Sequence, residues 1–306
     1  MPIPVQGTSG QFQLTHGEIQ GRLDQQKLFG LDELQKSLFN FCKVILTADD
    51  LKLRKLGFYD LAPSVLLYGP PNTGKTSLCY FLFDRLKQEV TNEINFYTVD
   101  VGRMLDPALG QSSRNLAQIF DNLRQVCADH SADHSADHSS AFLLLDELDA
   151  FCMSRSREQE HDAVRRAMTT LMLELDQLRP SLSQRLIVFG ATNVLDLVDT
   201  AVVRRFTLKH YVNAQLSPEE FQAYLNHLNK EINYQFQPED LIKLYEIYKN
   251  RGFTVGDIKN LYKILFIEFL CTEGELSIAD RLLELFQQGF STGEHLVKTY
   301  QEISNV

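Results

Sequence analysis

Ser64-Val-Leu-Leu-Tyr68 runs straight into Gly69-Pro-Pro-Asn-Thr-Gly-Lys-Thr76, and a helical stretch follows. A short apolar run, a loop with the spacing GxxxxGK[ST], and a helix start together predict strand, phosphate loop and helix. The backbone N–H groups of such a loop point inward, and the helix N-terminus adds partial positive charge, so the turn suits a phosphate chain. Gly69, Pro70, Pro71, Asn72, Thr73, Gly74, Lys75 and Thr76 are therefore read as nucleotide-binding. Lys75 is expected to reach the β- and γ-phosphates and Thr76 to ligate Mg2+.

Outward from this stretch, three more apolar runs alternate with helical patterns: Ile94–Val99, Ala141–Leu145 and Leu186–Thr192, with a weaker fifth run at His210–Val212. Alternation of this kind predicts an α/β fold with a parallel sheet flanked by helices. The run Phe142-Leu-Leu-Leu145 ends in Asp146-Glu147. A buried strand delivers carboxylates to its C-terminal end, beside the phosphate loop of a parallel sheet. Asp146 is read as a second Mg2+ ligand and Glu147 as the base that activates water. Asp149 is read as a cap or solvating group of the next helix. The run ending Gly190-Ala-Thr-Asn193 offers an amide that could sense a γ-phosphate. Arg204 and Arg205 lie far along the chain, and read either as surface solvation or as guanidinium groups offered to a neighbouring subunit.

The rest of the chain frames that unit. Thirty Lys plus Arg against forty Asp plus Glu leave a charge of −10 across 306 residues. That acidity gives a sequence-independent grip on nucleic acid little support. No stretch approaches the ~20 apolar residues of a membrane span, and the start lacks the regions of a signal peptide. The five cysteines (Cys42, Cys79, Cys127, Cys152, Cys271) include no CxxC, and are read as packing residues in a reducing, cytoplasmic setting. Residues 1–27 read as a flexible tail and 28–212 as the α/β domain, with a helical pattern beginning at Leu28. Within it, 128–140 is a low-complexity insert of Ala-Asp-His-Ser repeats, read as a polar loop rather than a metal face. Residues 213–306 read as a small all-helical lid domain. Its first helix opens at Ser217-Pro-Glu-Glu220, and further helices are expected at Ile278–Gln288 and Glu294–Ile303.

From Gly30 to Lys259 the chain resembles the AAA+ ATPases of the AAA type. Gly30-Leu31 is similar to the segment that meets the adenine, Asp146-Glu147 to Walker B and Asn193 to the first sensor. Arg204-Arg205 resembles the arginine-finger position and Gly252–Asp257 the lid motif. The finer similarity is to the pachytene-checkpoint type, which remodels HORMA-domain proteins. It is carried by Thr76–Cys79, by Asp162–Arg165 leading to Leu175–Leu178, and by Val198–Arg205 with Lys209 and Tyr211. The resemblance implies ATP and Mg2+, six subunits, Arg205 as the finger, and a protein substrate threaded or remodelled through the pore. Membrane and nucleic acid are not expected partners, and a bacterial antiviral-signalling setting is one context. Three departures stand out: Asn72 where the family has Gly, Ala108 in place of the pore-loop aromatic, and Gly256 in place of a sensor arginine. Katanin- and spastin-like severing enzymes, a nucleotide-dependent switch, and a nucleic-acid loader are the alternatives.

Overall fold

The computed structural model describes residues 3–4, 11–23, 27–90, 93–104, 111–128, 139–150, 158–182, 185–213, 215–272 and 277–296. The repeats at 129–138, Ala108 with most of the expected pore loop, Cys152 and the end of the last expected helix lie outside the described residues.

The chain divides into two units. The first holds residues 1–27, 33–69 and 75–211; the second holds 28–32, 70–74 and 212–306.

The first unit is built on seven strands: β1 (Ile3–Pro4), β2 (Gln11–Leu14), β3 (Ser64–Tyr68), β4 (Ile94–Asp100), β5 (Ser140–Asp146), β6 (Leu186–Thr192) and β7 (Leu208–Tyr211). Their order is β1-β2-β4-β5-β6-β3-β7. The five strands from β4 to β7 in that order run parallel. They correspond to the five apolar runs of the sequence; β3, β5 and β6 are buried along almost their whole length because both faces are covered, whereas the edge strand β7 alternates half-buried and exposed residues. On one face Phe142 stacks between Phe96 and Phe189, at 5.2 and 4.7 Å between ring centroids. Phe83 of α4 (Lys75–Glu89) closes on Phe96 at 5.2 Å. Leu143, Leu145 and Val188 pack instead with Phe120 of α6 (Gln111–Ala128) and Leu171 of α7 (Glu158–Gln177). The remaining helices of this unit are α1 (His16–Leu23), α2 (Asp32–Thr47), α3 (Asp50–Phe58), α5 (Val101–Met104) and α8 (Thr200–Arg205).

Two local expectations change. The flexible tail is ordered in its described part: β2 adds antiparallel to the edge of β4, pairing Phe12 with Thr98 and Leu14 with Phe96. Leu14 and Ile19 are buried, and His16 pairs with Asp84 at 2.7 Å while Arg22 donates to the Tyr80 hydroxyl at 3.0 Å, so apolar and polar contacts together anchor it. The helix expected from Leu28 begins only at Asp32, because Gly30 takes a left-handed φ of 68° that breaks the pattern. Cys42, Cys79 and Cys127 are buried as packing residues, whereas Cys271 is exposed at the end of its helix.

Among its described residues the second unit carries the helices α9 (Pro218–Leu228), α10 (Pro238–Arg251), α11 (Val255–Cys271) and α12 (Ile278–Gln288), and residues 292–296 are helical too. Ser217 and Glu220 form the reciprocal cap read from the sequence. Phe221 meets Tyr248 at 5.0 Å, and Phe253 meets Phe286 at 5.4 Å. Arg251 caps the end of α12, donating to the Phe286 and Gly289 carbonyls at 2.6 and 2.8 Å. No helix among the described residues is long and apolar enough to cross a membrane.

Candidate active site

In the first unit β3 stops at Tyr68 and Gly69 turns the chain at φ 144°, which residues with a side chain rarely adopt. Lys75 opens α4 with its side chain folded back: Nζ donates to the Gly69 carbonyl at 2.8 Å. Burial pushes its ammonium down to about 8, against the pull of Asp146 and Asp149. A buried ammonium at the start of α4, beside the turn of the loop, stands where a phosphate oxygen could accept from it.

Thr76, next on α4, donates Oγ1 to Asp146 Oδ2 at 2.9 Å. The other Asp146 oxygen accepts the Glu147 N–H at 3.0 Å. A hydroxyl and a carboxylate held this close, one from α4 and one from the end of β5, form the hard-oxygen donor set that Mg2+ takes. Glu147 itself sits at φ 58°. A long side chain in that region is an outlier of the kind that collects at functional sites. Its turn is closed by the Ala150 N–H on the Glu147 carbonyl at 2.8 Å, and Leu148 N–H reaches Ala191 of β6 at 3.0 Å. Partial burial, then Asp100, Asp146 and Asp149, raise the Glu147 carboxyl, while Arg103 opposes them. A base shifted toward neutrality is better matched to taking a proton from water.

Asn193 is exposed just beyond β6, which lies between β3 and β5, as the sequence reading expects. Its backbone N–H donates to Asp149 Oδ1 at 3.2 Å, and Thr192 Oγ1 donates to the same oxygen at 2.7 Å. Asp149 ties the end of β5 to the end of β6. Nothing in the spacing announces this, since the partner lies 43 residues away. Asp100 is the second acid that sequence reasoning missed: it pairs in register with Asp146, and its position at the end of a strand is a signal that was available.

The two arginines end α8 and differ. Arg205 is committed within its own chain, Nε to Asp176 Oδ2 at 2.9 Å and Nη1 to the Ala201 carbonyl at 2.8 Å. Arg204 is exposed, and no described residue makes a hydrogen bond or ion pair with it. No hydrogen bond among the described residues joins either arginine to the phosphate loop.

In the second unit Pro70–Gly74, Gly30-Leu31 and Gly256 come together. Asn72 takes φ 61°, the left-handed conformation that asparagine tolerates. Its carbonyl accepts the Gly256 N–H at 3.1 Å. A Cβ on Gly256 would stand 2.2 Å from the Asn72 Cβ and 2.7 Å from its carbonyl oxygen, so this position admits no side chain, arginine included. Gly74, at φ 94°, would bring a Cβ 3.2 Å from Leu28 and 3.7 Å from Leu31. Phe29 packs 4.8 Å from Tyr224 of α9, whose hydroxyl donates to the Val255 carbonyl at 2.9 Å. Thr73 Oγ1 donates to the Pro70 carbonyl at 2.9 Å. Thr254 and Asp257 cap α11 reciprocally, and buried Asp257 also accepts from Thr292, Oγ1 at 2.8 Å and N–H at 3.0 Å.

A phosphate loop, two acids ending the next strand but one, and a polar residue ending the strand between them are the arrangement of a P-loop nucleoside-triphosphatase. Residues 65–214 match the family model "ATPase family associated with various cellular activities (AAA)", and the chain carries an AAA ATPase domain. Spastin from Xenopus laevis is 30% identical over 206 residues, 66% of this chain and 30% of that protein. Pachytene checkpoint protein 2 homolog from Danio rerio is 25% identical over 206 residues, 64% of this chain and 46% of that protein. The chain thus spans less than half the length of these curated relatives. Among solved structures, a chain of the E. coli MS115-1 HORMA:CdnC:Trip13 complex superposes with a TM-score of 0.71 at 19% identity, covering 92% of this chain and 95% of that one.

Proposed function

We propose that this chain hydrolyses ATP to ADP and phosphate with Mg2+, as one subunit of a six-membered cytoplasmic ring that remodels a partner protein. The observation that carries the reading is the bond from Thr76 to Asp146 beside the buried ammonium of Lys75. Thr76 and Asp146 would hold Mg2+, which supplies charge neutralisation across the β- and γ-phosphate oxygens. Lys75 leaves the Gly69 carbonyl for the phosphates. Leu31 and Gly30 would border the adenine, and Gly256 lets the start of α11 approach the loop. Glu147 takes the proton of the attacking water, and Asn193 orients that water.

The finger role goes to Arg204 rather than Arg205, because Arg205 is already held by Asp176. A guanidinium that no described residue pairs suits a neighbouring subunit's γ-phosphate, and head-to-tail contacts of that kind close into rings. A HORMA-domain protein is the partner class this reading favours. Its support is the near-complete coverage of a chain solved in complex with such a protein, together with the pachytene-checkpoint relative. The spastin similarity favours a severing-type substrate as the second reading.

The test is Glu147→Gln. The variant should bind ATP with wild-type affinity, lose hydrolysis by ~10²–10⁴-fold, assemble in ATP, and retain a HORMA-domain protein offered as bait. Wild-type turnover in the variant would remove Glu147 from the mechanism. Assembly and hydrolysis unaffected by Arg204→Ala would remove the trans contact.

A further inference from the structure

The side chain of Asn193 makes no hydrogen bond with a described residue, so only its backbone fixes where the amide points. That backbone is held from both sides. Asp149 Oδ1 accepts the Asn193 N–H at 3.2 Å and the Thr192 hydroxyl at 2.7 Å. The same Thr192 oxygen accepts the Val194 N–H at 3.2 Å. Thr192 is 1% exposed, so its half of the link is shielded from competing water, while the Asn193 half lies at the surface. Asp149 also shares one tight turn with Glu147, closed by the Ala150 N–H on the Glu147 carbonyl at 2.8 Å. A single carboxylate oxygen thus joins the turn that carries the base to the turn that carries the sensing amide.

We infer that Asp149 is a positioning residue that holds Asn193 in register with Glu147, so that the two act on one water. The inference rests on the proposed ATPase function and deepens it. Two consequences follow from the geometry. The bonds need an acceptor, not a charge, so an amide oxygen with its two lone pairs can replace the carboxylate. Because Asp149 acts through Asn193, its loss costs nothing once the Asn193 side chain is gone.

The experiment is a cycle of Asp149→Ala, Asn193→Ala and the double variant, with Asp149→Asn as the conservative control. Steady-state ATPase rates, ATP affinity and amide exchange over residues 191–195 are read on the full chain. Asp149→Ala should lower kcat about 10- to 100-fold, the cost of a misplaced catalytic group, with ATP affinity within about threefold. The double variant should be no slower than Asn193→Ala alone. Asp149→Asn should recover most of the rate. The Asn193 and Val194 amides should exchange at least about tenfold faster in Asp149→Ala and stay protected in Asp149→Asn. Losses that multiply in the double variant, or an Asp149→Asn as slow as Asp149→Ala, would overturn the inference. Should Asp149→Ala fail to fold, Thr192→Val probes the link from its other end: faster exchange at Val194 with a lower kcat supports it, and no change in either refutes it. A wild type that hydrolyses no ATP would overturn the proposed function, while amide exchange reads the Asp149 link on its own.

Discussion

The residues assigned to the nucleotide divide between the two units by kind. In the α/β unit the proposed roles, Gly69 apart, fall on side chains: the Lys75 ammonium, the Thr76 hydroxyl, the Asp146 and Glu147 carboxylates and the Asn193 amide. In the helical unit they work through the backbone, or through a missing side chain: the left-handed turns at Asn72 and Gly74, and Gly256, whose N–H meets the Asn72 carbonyl at 3.1 Å. Chemistry on side chains tolerates sequence drift around it, because a strand end presents its carboxylate whatever apolar residues precede it. Chemistry on the backbone depends on how closely two chain segments approach.

The largest effect expected from this contrast falls on the side-chain half. Lys75→Ala should weaken ATP binding by about 10- to 100-fold, the scale of one or two charge-assisted hydrogen bonds. A fluorescent-nucleotide titration would read it. Binding that survives the substitution would mean the backbone of the loop carries the affinity, and the contrast would collapse from that side.

Next comes Gly256→Ala. The new methyl would meet the Asn72 Cβ at 2.2 Å and carbonyl at 2.7 Å, atoms on or next to the backbone that cannot rotate away. Overpacking of this order costs about 1–3 kcal/mol, so ATP affinity should fall by about tenfold or more while a saturating-ATP kcat changes little. A lowered kcat with unchanged affinity would place Gly256 in the chemistry instead. Restoring the family's arginine there should be worse than alanine, since the obstacle is space.

This division also sorts what could be read from the sequence. The sheet was legible because Leu143, Leu144 and Leu145, buried on both faces, leave an unbroken apolar run that polar neighbours delimit. Lys75, Thr76, Asp146, Glu147 and Asn193 were legible because motif spacing follows from the strand ends. Gly256 was legible only as a departure, since no spacing shows that its neighbour is Asn72. Asp100 was passed over, and the tie from Asp149 to Thr192 was not visible, because Asp146 and Thr192, their neighbours on the next strands, are distant in sequence. The β2–α1 segment was lost among Gln and Gly, because the contacts of Leu14, His16, Ile19 and Arg22 that seat it exist only in the folded chain. Arg205 was preferred over Arg204 by resemblance; the competing claim of Asp176 exists only once α7 and α8 are folded.

A smaller effect tests whether glycine means the same thing in both units. Gly190 of β6 would set a Cβ 2.6 Å from Leu148 Cδ1 and 2.7 Å from the Phe206 ring. These are side-chain ends with some freedom to shift, so Gly190→Ala should cost about 1–2 kcal/mol, seen as a thermal midpoint lowered by a few degrees with ATP affinity retained. A variant of unchanged midpoint and lost affinity would show that the α/β unit too binds through close backbone approach.

The smallest effect is expected at Asn72, where the contrast is most exposed to refutation. The residue holds φ 61°, which costs an ordinary L-residue about 1–2 kcal/mol. Asparagine bears less of that cost than most, and glycine bears none. Asn72→Gly relieves the remaining strain in the folded chain but adds freedom to the unfolded one, about 0.4–1 kcal/mol in the opposite sense. The two nearly cancel, so the midpoint and the ATP affinity should both stay close to wild type. Asn72→Ala keeps the strain and gains no freedom, so it should destabilise by about 1 kcal/mol. If Asn72→Gly instead lost tenfold in affinity while Asn72→Ala lost no more, the amide itself would be touching nucleotide. The loop would then act through a side chain, and the helical unit could no longer be set apart as the one that contributes only its backbone.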